Sequence, residues 1–407
     1  MSTRSPSSRR KAALAIGLLT AAAAIKAQSA TAEDGWQFGA VLDLTATSRP
    51  LELGTRDQGL QLGHSDLTAS GPLGRHLLAR VNAVVATHEG KLEKGLEEAW
   101  IETRTLPAGL SARAGRFASQ IGHLNQQHPH ADDFVERPLL YRALLGGHWF
   151  DDGLRLNLTL PASLYWMVGA EAFRGRKLVP ETEHHGGGLG VVTLVTKIGG
   201  DIDRSNSWQL GLSYLKSRRI AAAGDHHGHD DEETGEEEHE HEHEHEHEHE
   251  HEHEHEQGHG HSHGAQFGGR HLWMVDATWK WAPDGNNRDR QLRVTAEAAR
   301  VTGINALASS GQRHRALALA AVWRFEPQWE VGARLGRLRV SMPHGDHFDP
   351  GRMSEQSLML AWKPSHMQSL RLQFTRQHDV VGFEEPARRS VALQYVLAFG
   401  AHGAHAY

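Results

Sequence analysis

Cysteine is absent from the 407 residues, which removes disulfides and thiolate metal sites together. Beyond the N-terminus no apolar run approaches the roughly 18 residues a membrane-spanning helix needs, so the mature chain has no helical span. There is no Gly-x-Ser-x-Gly elbow, no His-Glu-x-x-His helix and no phosphate-cradling glycine loop. The chain is therefore expected not to be an enzyme and to carry no organic cofactor. A clustered basic face is also missing: 43 Lys and Arg stand against 50 Asp and Glu, for a net charge of −7. One acidic stretch, 225–263, carries more than that excess and the remainder is slightly basic, 43 Lys and Arg against 33 Asp and Glu, without the clustering a nucleic-acid partner needs.

The N-terminus reads as a targeting segment. Arg4, Arg9, Arg10 and Lys11 precede the apolar run 12–25, and small residues follow. Residues 1–32 are expected to be a signal peptide, cleaved after Ala27 or Ala32. Arg9-Arg10 leaves a twin-arginine signal as the alternative to a plain secretory one.

What the chain has in abundance is histidine, and about half of its 32 histidines fall within residues 225–263, alternating with glutamate. Such a stretch has almost nothing apolar to bury and cannot form a packed core. It offers imidazole nitrogens and carboxylate oxygens at high density, the ligand set of zinc, nickel, cobalt and copper. A plain spacer would need only Glu/Lys or Ser/Gly. The expected ligands are His226, His227, His229, His239, His241, His243, His245, His247, His249, His251, His253, His255, His259, His261 and His263.

Elsewhere the polarity alternates with period two. Trp36, Phe38, Ala40, Leu42 and Leu44 alternate with Gln37, Gly39, Val41, Asp43 and Thr45; Trp273, Val275, Ala277, Trp279 and Trp281 alternate with Leu272, Met274, Asp276, Thr278 and Lys280. Segments of about ten residues with this pattern, split by turn residues, predict an all-β transmembrane antiparallel barrel with lipid on one face and a wet lumen on the other. Sixteen such segments are read: 36–47, 60–70, 76–88, 95–105, 109–118, 152–161, 164–174, 190–200, 207–217, 271–282, 290–302, 314–326, 328–341, 355–363, 369–378 and 389–399. The barrel is placed at 33–400, with a long disordered His/Glu-rich extracellular loop at 219–268 and a tail at 401–407. A soluble β-sandwich or β-helix is the rival, but sixteen strands with a polar second face leave too much hydrophilic interior for one dry core. The expected location is the bacterial outer membrane, with its lipid and barrel-assembly machinery as partners and a homotrimer as the expected assembly.

Connection length supports this. Short turns follow even-numbered segments, as periplasmic turns do, and the longer connections 48–59, 89–94, 119–151, 175–189, 218–270, 303–313, 342–354 and 379–388 follow odd-numbered ones. The histidine clusters, including His123, His184, His185, His344 and His347, all fall in the second set.

Residues 95–122, GLEEAWIETRTLPAGLSARAGRFASQIG, and 132–160, DDFVERPLLYRALLGGHWFDDGLRLNLTL, carry a family likeness. Arg113-Ala114-Gly115-Arg116-Phe117 leading to Gly122, then Phe134-Val135-Glu136-Arg137-Pro138, Gly146-Gly147 and Asp152-Gly153, resemble the phosphate-selective porin O and P family. The resemblance implies that 119–151 folds into the pore and narrows it. Phosphate selectivity needs a ladder of Lys and Arg, whereas the inferred lumenal faces are mixed: Glu98, Glu102, Arg104, Arg293, Glu297, Arg334 and Arg371.

The inferred constriction carries His128-Pro129-His130 and Asp132-Asp133. In an extended segment 128 and 130 point the same way, about 7 Å apart, and a slight turn at Pro129 would let one ion bridge them. His128, His130 and Asp132 are therefore candidate ligands; the alternative is that Asp132, Asp133, Glu136 and Arg137 pair with lumenal arginines and pin the loop. His344 and His347 form a second, exposed candidate. Together these features predict a porin-like channel that captures divalent metal, zinc first. The alternatives are a non-conducting surface buffer or sensor, and an anion porin with an incidental histidine-rich loop.

Overall fold

Alternation in the chain becomes an inversion of the usual inside and outside. Asp43, Thr45, Glu171, Ser213, Asp276, Glu297, Glu355, Gln373 and Gln394 are buried, while Leu67, Leu156, Leu194, Leu212, Val275, Leu319, Leu358 and Leu393 are exposed. That is the order expected where lipid lies outside and polar groups line the interior. The computed structural model describes residues 35–178, 188–219, 264–309, 311–345, 347–383 and 388–400. The expected signal peptide 1–32, His184, His185, His402, His405 and the candidate repeat ligands from His226 to His263 lie outside the described residues.

The elements are β1 (Gln37–Thr47), β2 (Gly59–Leu62), β3 (Ser65–Leu73), β4 (Leu77–His88), β5 (Lys91–Thr103) and β6 (Leu110–Ala118). A short helix, α1 (Leu139–Leu145), precedes β7 (Phe150–Thr159), β8 (Tyr165–Phe173), β9 (Val191–Asp201), β10 (Asn206–Ser217) and β11 (His271–Trp281). The last six are β12 (Gln291–Thr302), β13 (Arg313–Glu326), β14 (Trp329–His344), β15 (His347–Ser365), β16 (Gln368–Val381) and β17 (Arg389–Gly400).

Apart from β2 and β3, each strand pairs antiparallel with its sequence neighbour, and β1 closes the sheet by pairing with β17 from Gly39↔Gly400 to Thr47↔Ala392. β2 pairs with the upper part of β1 and β3 with the lower part, so the two are halves of one barrel strand broken at Gly63-His64. The result is a closed barrel of sixteen strands, the number read from the sequence. Glycine is required at the break, because a Cβ on Gly63 would collide with the buried Arg56–Asp43 ion pair.

Two expectations need correction. Residues 342–354 do not form a loop: β14 and β15 run on as a ladder to His344↔His347 and project as a hairpin. Residue polarity there does not alternate, so the pattern hid the strands. Arg104 is exposed in the turn after β5 and does not line the lumen.

The segment between β6 and β7 folds inward. All seven residues of α1 are buried, and the helix ends at Gly146, whose φ of 63° supplies the left-handed cap. A seven-residue helix has little stability of its own; burial of Leu139, Leu140, Leu144 and Leu145 against Met274, Val301, Leu338 and Met353 holds it. The apolar core therefore lies inside the barrel, filling one side of its upper half.

Candidate metal centre in the lumen

The inward segment 119–149 is held mainly by charge, both within itself and against the wall. Asp132 Oδ2 accepts from Arg137 Nε at 2.8 Å and its Oδ1 from Gln127 Nε2 at 2.9 Å. Asp133 pairs with Arg293, and Arg142 with Glu355, which Arg334 also reaches at 3.3 Å. Arg371 donates to the His130 carbonyl at 2.8 Å, and Glu136 accepts from Thr55 Oγ1 at 3.0 Å. Asp132 is thus a structural anchor and not a member of the histidine cluster. Its short carboxylate is already occupied by Arg137.

His128 and His130 face the other way. The backbone turns through a 3-10 segment, Pro129–Ala131, and so is not extended as expected. The two rings stack at 5.7 Å and 21°. Opposite them, the break between β2 and β3 presents His64, and β3 presents Asp66 two residues on. β5 supplies Glu97 and Glu98 together, because a bulge puts Asn82 opposite Glu98 and Ala83 opposite Leu96. The extra residue, Glu97, turns inward beside its neighbour instead of outward. His148 completes the group from the end of the inward segment.

These side chains converge. His64 Nε2 lies 3.1 Å from Asp66 Oδ1 and 3.2 Å from Glu97 Oε2. His128 Nδ1 lies 3.3 Å from Asp66 Oδ2 and 3.6 Å from Glu97 Oε2, with its Nε2 3.6 Å from Glu98 Oε2. His130 Nδ1 is 3.2 Å from Asp66 Oδ2, and His148 Nδ1 is 3.8 Å from Glu97 Oε2. Four ligands at 2.0–2.1 Å around a tetrahedral zinc lie about 3.3–3.4 Å from one another, so these separations are close to the edges of such a tetrahedron. His64, Asp66 and His128 each offer one donor atom within 4.8 Å of the others.

The donors are close but badly aimed for bonding one another. His64 Nε2, Asp66 Oδ1, Glu97 Oε2, His128 Nδ1, His130 Nδ1 and both ring nitrogens of His148 are buried without a hydrogen-bond partner. Buried polar atoms are normally satisfied, and an orphan costs about 1–3 kcal/mol. A tetrahedral divalent ion placed among them would take up to four of these atoms. Outside the group, Arg80 Nε holds Glu98 at 2.8 Å and orients it.

The loop histidines differ in charge. Burial opposes the imidazolium at His128, but Asp66, Glu97 and Glu98 outweigh it and hold the group well above its ordinary range. Burial prevails at His130, against Asp66, and takes His148 down to about 3 against Glu97. His130 and His148 are therefore neutral and able to ligate at pH 7. His123 stands apart: its N–H donates to Glu297 at 3.1 Å, and its ring is held down to about 3 by burial, Lys197 and Arg293.

Three cavities follow one another. One of about 100 Å³ opens among Thr55, Thr87, His88 and Gly146, with His64, Glu97 and His148 in its wall. A second, about 50 Å³, lies beside Asp132, Asp133 and Arg293 and shares Arg137 with the first. The third, about 480 Å³, shares Lys280 with the second and is lined by Asn157, Lys197 and Gln209. The histidine cluster thus stands at the entry to the series, on the rim that carries the long connections.

The second candidate is on the β14–β15 hairpin. His344 Nδ1 is 3.1 Å and His347 Nε2 3.8 Å from the Asp349 carboxylate, the rings stack at 5.0 Å, and all three are exposed. The expected pair is therefore brought together, with Asp349 added. His64, Asp66, Glu97, Glu98 and His148 were not anticipated as ligands. One signal was available: His64-x-Asp66 has the same two-residue spacing as His128-x-His130, which keeps both groups on one face of a strand.

No family model matches the chain. An uncharacterised protein of Aquifex aeolicus (strain VF5) is 40% identical over 80 residues, which is 20% of this chain and 17% of that protein. The chain thus spans well under two thirds of that relative. Solved structures resemble the whole barrel. OprB of Pseudomonas putida at high pH matches with a TM-score of 0.55 and 12% identity, over 90% of this chain and 94% of that one. In-vitro folded OmpT of Vibrio cholerae in its trimer form gives 0.50 and 9%, over 90% and 99%. An anion-selective porin from Comamonas acidovorans gives 0.50 and 10%, over 91% and 100%. The fold is that of outer-membrane porins, and a barrel apolar outside and polar within belongs in the bacterial outer membrane.

Proposed function

We propose that the chain is a porin-like channel that gathers divalent metal, zinc first, on histidine-rich extracellular segments and passes it through the His64–Asp66–His128 cluster toward the periplasm. The observation that carries this reading is the convergence of His64, His128, His130 and His148 on Asp66 and Glu97, with ring nitrogens and carboxylate oxygens buried and lacking well-aimed hydrogen bonds, at the entry to the lumenal cavities. The metal is cargo here, so each contact must be weak enough to release it. Nickel, cobalt and copper would fit the same donors, and copper would bind more tightly. The 225–263 repeat and the His344–His347 hairpin would raise the ion concentration at the mouth.

Reconstitution into liposomes holding a zinc-sensitive dye tests the reading. Zinc entry is expected for the full chain and a clear reduction for His64→Ala/His128→Ala; equal rates would remove the cluster from the path. No entry at all, with binding intact, would favour the non-conducting buffer, which the apolar filling of the upper lumen supports. Lys197 and Lys280 around the cavity of about 480 Å³ favour an anion porin instead. A reversal potential in a salt gradient separates cation from anion preference. The inward 119–149 segment supports the likeness to the phosphate-selective porin O and P family, while the mixed lumenal charge speaks against phosphate as substrate. A homotrimer is proposed on the likeness to OmpT.

A further inference from the structure

The outer face of the barrel carries a row of arginines where lipid is expected. Arg300 on β12 is in register with Arg315 on β13, Arg315 with Arg339 on β14, and Arg339 with Arg352 on β15. Arg337 lies two residues below Arg339. All five are exposed and alternate with buried neighbours such as Ala299, Ala316, Leu338 and Met353, so they point outward. Strands lie about 4.8 Å apart, and like charges directly opposite one another are destabilising. Among the described residues only Arg352 of this group has an ion-pair partner, Asp379 at 3.2 Å.

Depth decides what the row can meet. Trp323, Trp329 and Trp362 mark the opposite edge of the same strands, eight to ten residues away. At about 3.4 Å per residue and a tilt near 40°, the row stands roughly 21–26 Å from that girdle, which is the height of the apolar band. An arginine on the lipid face costs about 2–4 kcal/mol at mid-depth and about 0–1 near the interface, so five of them belong at the headgroup level. The rim is the one with the long connections, hence the outer leaflet. Directly beneath, a groove of about 380 Å³ is floored by Val275, Ala298, Ala316 and Leu317 and capped by Arg300, Arg315, Arg337 and Arg339.

We propose that this face of β11–β15 binds a phosphorylated, acylated lipid of the outer leaflet, with the arginine row clamping its phosphates and an acyl chain lying in the groove. Guanidinium groups hold phosphate oxygens in bidentate pairs, which would relieve the repulsion within the row. The apolar floor favours a lipid over a soluble anion.

The test uses the purified full chain in detergent and native mass spectrometry. Diphosphoryl lipid A, its dephosphorylated form and inorganic phosphate are offered separately. Adducts with diphosphoryl lipid A are expected, with a loss of about tenfold or more for R300Q/R315Q/R339Q and a smaller loss for R300K/R315K/R339K, which keeps the charge but not the bidentate fork. Heat-modified gel migration verifies that each variant folds; should the triple glutamine variant fail, R315Q alone at the centre of the row is measured the same way. Equal adducts with dephosphorylated lipid, or unchanged adducts in the folded glutamine variant, would overturn the proposal. So would a changed protomer number with lipid unaffected, since the row would then be a contact between copies.

Discussion

Glu97 Oε2 lies 3.2 Å from His64 Nε2, although β4 separates the strand of the one from the strand break of the other. Two local irregularities make the meeting possible. The break at Gly63-His64 lets an imidazole turn into the lumen, and the β5 bulge sends Glu97 the same way as Glu98. Where bulges sit in a wall they commonly re-aim a functional side chain.

The bulge gives the first prediction. Glu97→Gln keeps the backbone but removes the charge facing His64, His128 and His148. Zinc affinity of a chain lacking 225–263, measured by titration calorimetry, should fall about 10–100-fold, as for changes around a metal ligand elsewhere. Glu98→Gln, which keeps the nearer carboxylates, should cost less.

Acid should release the ion. His128 is held above its usual range by Asp66 and the two glutamates, so without metal it is protonated at neutral pH. A cation must then displace that proton, and binding strengthens as pH rises and weakens as it falls. Each proton displaced costs about 100-fold in affinity between pH 7.5 and 5.5, so the drop should be at least that. The same comparison on a peptide of 225–263 should show the same sign. Equal affinity at the two pH values would refute the competition.

Loop anchoring should control conductance. Glu355 takes charge from both Arg142 and Arg334 in a fully buried network. Glu355→Gln leaves two buried guanidiniums short of compensation, a loss on the order of 3–5 kcal/mol. The 119–149 segment should loosen, read as higher single-channel conductance and a lower temperature of heat modification. Unchanged conductance would mean that this network does not set the aperture.

Much of this was legible in the sequence, and the exceptions have physical causes. Strands such as β10 and β11 could be read because lipid outside and water inside impose strict alternation, and sixteen were found. The β14–β15 hairpin was missed because beyond the membrane both faces are wet and alternation is no longer required. In the site, His128 and His130 stood out by their spacing and Asp132 misled by its position, since only the fold shows that Arg137 holds it. His64, Glu97 and His148 gave little sign of belonging together. They are distant in sequence, and a period-two reading forbids two consecutive inward residues, which is what the bulge provides.

The hairpin should act separately from the lumen. His344→Ala/His347→Ala removes two exposed donors and leaves the buried cluster intact. Zinc bound by the chain lacking 225–263 should decrease by its weaker component, with the tighter one unchanged. A loss of the tight component would show that the two sites have been assigned the wrong way round.

Anomalous scattering at the zinc absorption edge, from crystals of the full chain equilibrated with zinc at pH 7.5, tests the lumenal centre most directly. The expected result is a peak bounded by His64 Nε2, an Asp66 oxygen and His128 Nδ1, absent in His64→Ala/His128→Ala crystals treated alike. Zinc found only on the hairpin or other exposed histidines, with no density among those three side chains, would contradict it.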